Sequence, residues 1–250
     1  MGEEMSALAP PASRPALLLL SSSTIHGRGY LDHAERAIRD FLASAGPVLF
    51  VPYALHDRDA YADKTCRRFA RMGLELSSLH AASDPREAIA SASAFFAGGG
   101  NTFRLLRELA GRGLLEPMRE RVRSGAFYVG SSAGTNLAGP TIRTTNDMPI
   151  VSPVSLDSLG LVPFQLNPHY VDADPASTHM GETREERIRQ FHEEPENRAP
   201  VLALRESAWL RRDGEALRVG GEGGARLFEA GRPPREVPAA ADISFLLRNP

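Results

Sequence analysis

An apolar run at residues 126–129 leads into Gly130-Ser131-Ser132-Ala133-Gly134. A serine can act in acyl transfer when its hydroxyl stands at the apex of a sharp strand-to-helix turn, with glycines where a Cβ would collide. Amides at the start of the new helix then face the group on the serine and stabilise developing negative charge. Ser132 is therefore a candidate nucleophile, although a tight strand–helix turn without chemistry would carry the same letters. Such a serine needs a general base within hydrogen-bond reach and an acid to orient that base. Of the seven histidines, His26, His33, His56, His80, His179 and His192 fall in polar loops or on charged helix faces, where a solvated ring is expected. His169 differs: Asn167-Pro168-His169-Tyr170 follows the apolar residues 161–166 and should lie at a strand edge, with a purely structural histidine as the competing reading. Two acids compete for the third role. Asp147 sits in a polar loop, where carboxylates are usually solvated or cap turns. Glu206 follows the apolar residues 201–204, and a carboxylate at the end of a buried strand more often has a fixed partner.

These groups must be held by elements. Residues 16–21, 47–52 and 94–97 read as buried strands, with a weaker one at 74–79. Between them, helices are expected at 31–43, 58–72, 85–91, 103–110 and 114–124. Strand and helix alternate through this half, the pattern of a largely parallel sheet covered on both faces, with sites at the carboxyl ends of its strands. Gly98-Gly99-Gly100-Asn101-Thr102 closes one strand as Ser132 closes another, so both can lie on one edge. The triple glycine lacks the dinucleotide fingerprint because Phe103 stands where a third glycine is required. It can instead bring a second backbone N–H to an oxyanion, with a plain turn as the alternative. Residues 141–175 should be mostly loop with short strands. A charged helix is expected at 182–192, with Thr183 and Glu186 at capping-box spacing. Antiparallel strands follow over 207–227, with Asp213-Gly214 as a hairpin turn and the glycines of 220–224 as another.

The 250 residues suffice for one substantial core, and a single α/β domain over 16–250 is expected behind a loose, proline-containing leader at 1–15. With 29 basic and 31 acidic residues, the net charge is −2 and no basic stripe suggests nucleic acid. Cys66 is the only cysteine, which excludes an intramolecular disulfide and a thiolate metal cluster; a half-buried structural role is expected for it. No histidine pair has metal-ligand spacing, so neither metal nor cofactor is expected. Residues 16–20 are too few to span a bilayer, and the acidic start does not suit a signal peptide, so a cytoplasmic protein with no membrane partner is expected.

Gly-Gly-Gly-Asn-Thr, Gly-x-Ser-Ala-Gly, Pro-Thr-Ile-Arg-Thr-Thr-Asn-Asp-Met-Pro, Asn-Pro-His and Gly-Glu-Thr-Arg-Glu occur here in order. Over roughly residues 17–210 the set resembles the peptidase E family of α-aspartyl dipeptidases, serine peptidases grouped with cyanophycinase. The resemblance implies a three-layer fold like that of class I glutamine amidotransferases and cleavage of small peptides with N-terminal aspartate. It makes Ser132 the nucleophile, His169 the base and Glu206 the third member, with Gly99 or Gly100 and Ala133 as oxyanion donors. Asp147 and Asn101 would support the site. Arg184, or Arg143 as second candidate, would fork onto the substrate carboxylate. The order serine, histidine, acid separates this arrangement from an α/β-hydrolase, in which the acid precedes the histidine; Asp147 would restore that order. Two letters depart from the family pattern. Ser131 stands where tryptophan is expected, which should open or rewet the pocket floor, and Thr135 replaces alanine. The expected activity is that of a metal-independent serine dipeptidase, monomeric or homodimeric. A β-aspartyl-arginine hydrolase and a silent ligand-binding protein of the same fold are the alternatives.

Overall fold

Strands that are apolar on both faces need cover on both faces, and here the helices supply it. The computed structural model describes residues 15–248 apart from 177 and 179, so the leader at 1–14 and His179 lie outside the described residues. The chain runs β1 (Ala16–Leu20), α1 (Glu35–Phe41), β2 (Val48–Val51), α2 (Arg58–Arg71), β3 (Leu76–Ser78), α3 (Pro85–Ser91), β4 (Ala94–Ala97), α4 (Thr102–Gly111), α5 (Leu115–Arg123), β5 (Phe127–Ser131) and α6 (Ala133–Leu137). It continues through β6 (Gln165–Tyr170), α7 (Arg184–Glu193), β7 (Val201–Arg205), β8 (Ala208–Asp213), β9 (Ala216–Gly221), β10 (Ala225–Phe228) and β11 (Arg235–Val237). The result is the three-layer α/β architecture that the alternation predicts.

The main sheet has seven strands in the order β3-β2-β4-β5-β1-β8-β9. The first five are parallel, and β8 and β9 add antiparallel. Odd and even residues of β1 divide the core: Leu17 and Leu19 pack on one face, Leu18 and Leu20 on the other. Helix starts follow local chemistry. Asp57, Asp84 and Asn101 each accept an amide of the first turn of α2, α3 and α4.

A second sheet, β11-β10-β7-β6, was not foreseen as a separate layer. β6 and β7 pair in parallel, so both end at the same edge. Residues 206 and 207 form the whole connection from β7, in this sheet, to β8, in the main one. Two local expectations shift. The helix expected at 31–43 starts only after Leu31, whose φ is a left-handed 60°, and breaks into a 3-10 turn, Asp32–Ala34, and α1 at Ala34, which leaves helical geometry with φ −113° and ψ 2°. The hairpin turn between β8 and β9 is Gly214-Glu215, since Asp213 pairs with Ala216 and Gly214 carries the positive φ of 62°.

Candidate active site

β5 ends at Ser131 and α6 begins at Ala133, which leaves Ser132 alone to make the turn. Its φ of 53° and ψ of −107° lie where side-chain-bearing residues are rarely found, at a cost of about 1–3 kcal/mol. The flanking glycines explain how the turn fits. A Cβ on Gly130 would stand 2.6 Å from the Gly134 carbonyl oxygen, and one on Gly134 only 2.0 Å from that of Ala97 in β4. The buried Tyr128 hydroxyl donates to the Gly134 carbonyl at 2.6 Å. Leu20 at the end of β1 accepts twice, from the Ser132 amide at 3.1 Å and from the Thr135 hydroxyl at 2.6 Å. Thr135 therefore ties the turn to the neighbouring strand, a bond that alanine could not make.

His169 reaches this turn from the second sheet, inside β6, and its Nε2 is in hydrogen-bond contact with Ser132 Oγ. Burial holds the imidazole below its ordinary pKa; the charges of Glu206 and then Asp147 pull it back up, and Arg184 lowers it further. A neutral ring that accepts through Nε2 carries its proton on Nδ1. Among the described residues no hydrogen bond joins His169 to Glu206, so the carboxylate acts on the ring through its charge. Glu206 is exposed in the β7–β8 turn. The residues beside the pair are firmly linked: Tyr170 pairs with Arg205 across the strands, and Arg205 grips Asp172 in a two-pronged contact of 2.7 and 2.9 Å.

The glycines of 220–224 do more than turn a hairpin. A Cβ on Gly221 would stand 2.0 Å from the Ser207 carbonyl oxygen, and one on Gly223 2.4 Å from that of Glu206. They let the chain pass against the turn that presents Glu206. Only a cluster of glycines far along the sequence signals this, and nothing local says what they pack on.

On the other side of Ser132 stands the loop after β4. A Cβ on Gly99 would lie 3.2 Å from Ser132 Cβ. The Gly99 backbone hydrogen-bonds to the buried Tyr61 hydroxyl, whose pKa burial pushes well above its usual value. Gly100 has a φ of 134°, and its neighbour Asn101 donates its amide to Ala54 at 2.9 Å. Ala133 opens α6, so its amide has no carbonyl behind it within the helix. Of the two glycines, Gly99 is the one whose backbone is already engaged, by Tyr61. Asp147 has a fixed place. Its Oδ2 accepts from the Thr102 amide at 2.7 Å and the Thr102 hydroxyl at 2.5 Å, while Asn101 Nδ2 donates to the Met148 carbonyl at 2.9 Å. The loop around 147 is stitched to the start of α4, immediately after the glycines.

Arg184 opens α7 and donates to Asn146 Oδ1 at 2.7 Å; Asn146 in turn donates to the Pro168 carbonyl at 2.7 Å, next to His169. Burial and Arg187 lower the pKa of the guanidinium, which Asp147 counters. Arg143 is exposed, and its amide donates to Thr141 Oγ1. Among the described residues no hydrogen bond or ion pair joins its side chain to another candidate site residue. Ser131 is fully buried and, by alternation along β5, shares the face of Val129, away from Tyr128 and Gly134. The expected opening of the pocket floor is not seen: the side chain points into the sheet's other layer, and its hydroxyl has no partner among the described residues. His33, expected to be solvated, has both ring nitrogens buried, beside the backbone of Ser22. Cys66 is exposed rather than half-buried. Among the described residues no group of three or more His, Cys, Asp or Glu could hold a metal ion, and no helix is long and apolar enough to cross a membrane.

Comparison with known proteins adds to the geometry. The sequence profile described as Peptidase family S51 matches residues 17–220. "Peptidase E" of Streptomyces coelicolor is 53% identical over 231 residues, covering 92% of this chain and 94% of that one. A Drosophila melanogaster protein named "Probable alpha-aspartyl dipeptidase" is 47% identical over 240 residues, covering 95% and 99%. Among solved structures, a peptidase from an acI-B1 Actinobacterium aligns with a TM-score of 0.65 at 18% identity, covering 93% of this chain and 97% of that one, a likeness of fold.

Proposed function

The chain belongs to peptidase family S51, and on that premise we propose that it hydrolyses dipeptides with N-terminal aspartate through a Ser132–His169–Glu206 relay, without a metal. As a family member it is a serine peptidase, and its relatives make it a dipeptidase. The observation that carries the finer reading is the contact of Ser132 Oγ with His169 Nε2 at a strained turn.

Ser132 Oγ attacks the peptide carbonyl as His169 Nε2 takes its proton. The carbonyl oxygen becomes an oxyanion facing the amides of Gly100 and Ala133, a type of interaction worth about 3–4 kcal/mol per donor in acyl transfer. His169 then protonates the leaving amine, and the acyl-enzyme forms. Water, deprotonated by the same ring, releases the aspartate. While charged, the imidazolium is stabilised by Glu206, the larger of the two carboxylate influences on it. Asp147 holds the loop before α4, and hence the oxyanion donors, in place. The substrate's side-chain carboxylate meets Arg184, whose planar fork suits two oxygens.

The test offers Asp-Leu, β-Asp-Arg and Leu-Leu to the purified protein, with EDTA present and Ser132→Ala as control. Cleavage of Asp-Leu alone, abolished by Ser132→Ala, is expected. Equal cleavage by the variant sinks the serine mechanism, dependence on metal sinks metal independence, and preference for β-Asp-Arg redirects the specificity. In a second pair, Glu206→Gln should reduce kcat on the order of 10²-fold or more. Asp147→Asn, which keeps an acceptor for Thr102, should lose less. The reverse order would make Asp147 the triad acid.

A further inference from the structure

Arg184 can read a carboxylate only if α7 presents it at a fixed angle. The helix is anchored to the second sheet by apolar packing, to which Phe191 contributes beside Ile188, and by an ion pair. Ile188 is buried among Tyr170, Val201, Ala203 and Phe228. One turn earlier, Glu185 Oε2 meets Arg226 Nη1 of β10 at 2.8 Å. Around the helix, residue 188 lies between the other two, about 60° from 185 and about 40° from 184, so Glu185 and Arg184 flank the face turned to the sheet and a rotation of the first turn moves both.

Arg226 is a junction. Its Nη1 also donates to the Tyr170 hydroxyl at 3.1 Å, and its Nε stands 3.4 Å from Glu236 of β11. Tyr170 directly follows His169. The first-turn contact to the sheet therefore runs through a half-buried arginine that touches the strand bearing the base. Thr183 and Glu186 cap the helix within itself, in a reciprocal pair, and so add no tie between it and the sheet.

We propose that Arg226 is a positioning residue for substrate selection: its ion pair with Glu185 sets the rotation of the first turn of α7, and with it the angle at which Arg184 meets an acidic side chain. The proposal rests on the assignment of Arg184 above. Loosening the pair should weaken binding of the aspartyl carboxylate while leaving the chemical step intact, since Ser132 and His169 are held by β5, α6 and β6.

The experiment measures KM and kcat for Asp-Leu with Arg226→Met, Arg226→Lys, Glu185→Gln and Arg184→Met. Labelling of Ser132 by a small fluorophosphonate, which has no carboxylate, is followed in parallel. Arg226→Met and Glu185→Gln should each raise KM about tenfold with kcat within about twofold. The labelling rate should not change, and lysine at 226 should restore part of the KM. Folded variants with unchanged KM overturn the proposal, as does a fall in kcat and labelling at constant KM, which would mark a role in holding His169. Should Arg226→Met fail to fold, Glu185→Gln decides alone. An unchanged KM in Arg184→Met refutes the Arg184 assignment itself; a raised KM there beside unchanged values at 185 and 226 refutes the brace only.

Discussion

Replacing Gly134 by alanine tests the geometry of the nucleophile turn most directly. The new Cβ would lie 2.0 Å from the Ala97 oxygen, 2.7 Å from its carbonyl carbon and 2.9 Å from its Cβ. A close carbon–oxygen contact sits at roughly 3.3 Å, so roughly 1.3 Å must be made up. Ala97 lies in β4, hydrogen-bonded to β2 on one side and β5 on the other, and cannot yield that distance. The short helix α6 must move instead, carrying Ser132 and the Ala133 amide with it. Overpacking of this kind costs about 1–3 kcal/mol, against which alanine's helix propensity returns up to about 1 kcal/mol. A net loss of about 1–2 kcal/mol lowers Tm by roughly 2–8 °C in a chain of this size. Activity should suffer more, because a misplacement of about 1 Å at the reacting group costs on the order of 10²-fold. The assay is kcat/KM on Asp-Leu with a thermal melt, beside Gly111→Ala as control; nothing lies within 4 Å of a Cβ at that position. The control should keep full activity. Gly134→Ala with unchanged Tm and unchanged turnover would refute the steric account of the turn.

Activity requires neutral His169, and burial disfavours the cation, so the acid limb of kcat/KM should have its midpoint below about 6.5, the ordinary imidazole value. Glu206→Gln removes a charge that favours the cation and should move the limb further down in its residual activity; a midpoint at or above about 7 contradicts both statements. Ser131→Ala removes a buried hydroxyl that has no partner among the described residues. Because an unpaired buried polar group costs about 1–3 kcal/mol, the variant should match or exceed the parent in Tm, and a drop of several degrees would show that the hydroxyl is bonded.

The first half of the fold was legible because its signals are local. Apolar runs of four or five residues followed by helices, of which α2, α3 and α4 carry their own side-chain caps, leave little freedom, and the tight turn at Ser132 is written in five consecutive letters. The second sheet was not legible, because its assembly depends on partners far apart: Ser21 Oγ donates to the Leu204 carbonyl at 2.9 Å across 183 positions. Asp147 could be placed in a polar loop but not on the amide of Thr102. Nothing in the letters around Arg226 sets it apart, since only the pairing of β10 with β7 carries it to Glu185 of α7. His33 misled because a polar neighbourhood in sequence does not show which ring atoms the fold covers.

The position of β1, between β5 and β8, has a consequence for the order in which the enzyme is armed. A ribosome delivers the nucleophile with its turn and parallel neighbours once about half the chain has emerged. His169 arrives later, on a strand of the other sheet, and Glu206 later still, in the turn that leads into the strand closing β1. Until that closing strand is in place, β1 has an open edge. If His169 and Glu206 serve as proposed, unfinished chains carry an unactivated serine, and hydrolytic competence comes only once both later segments have joined the fold.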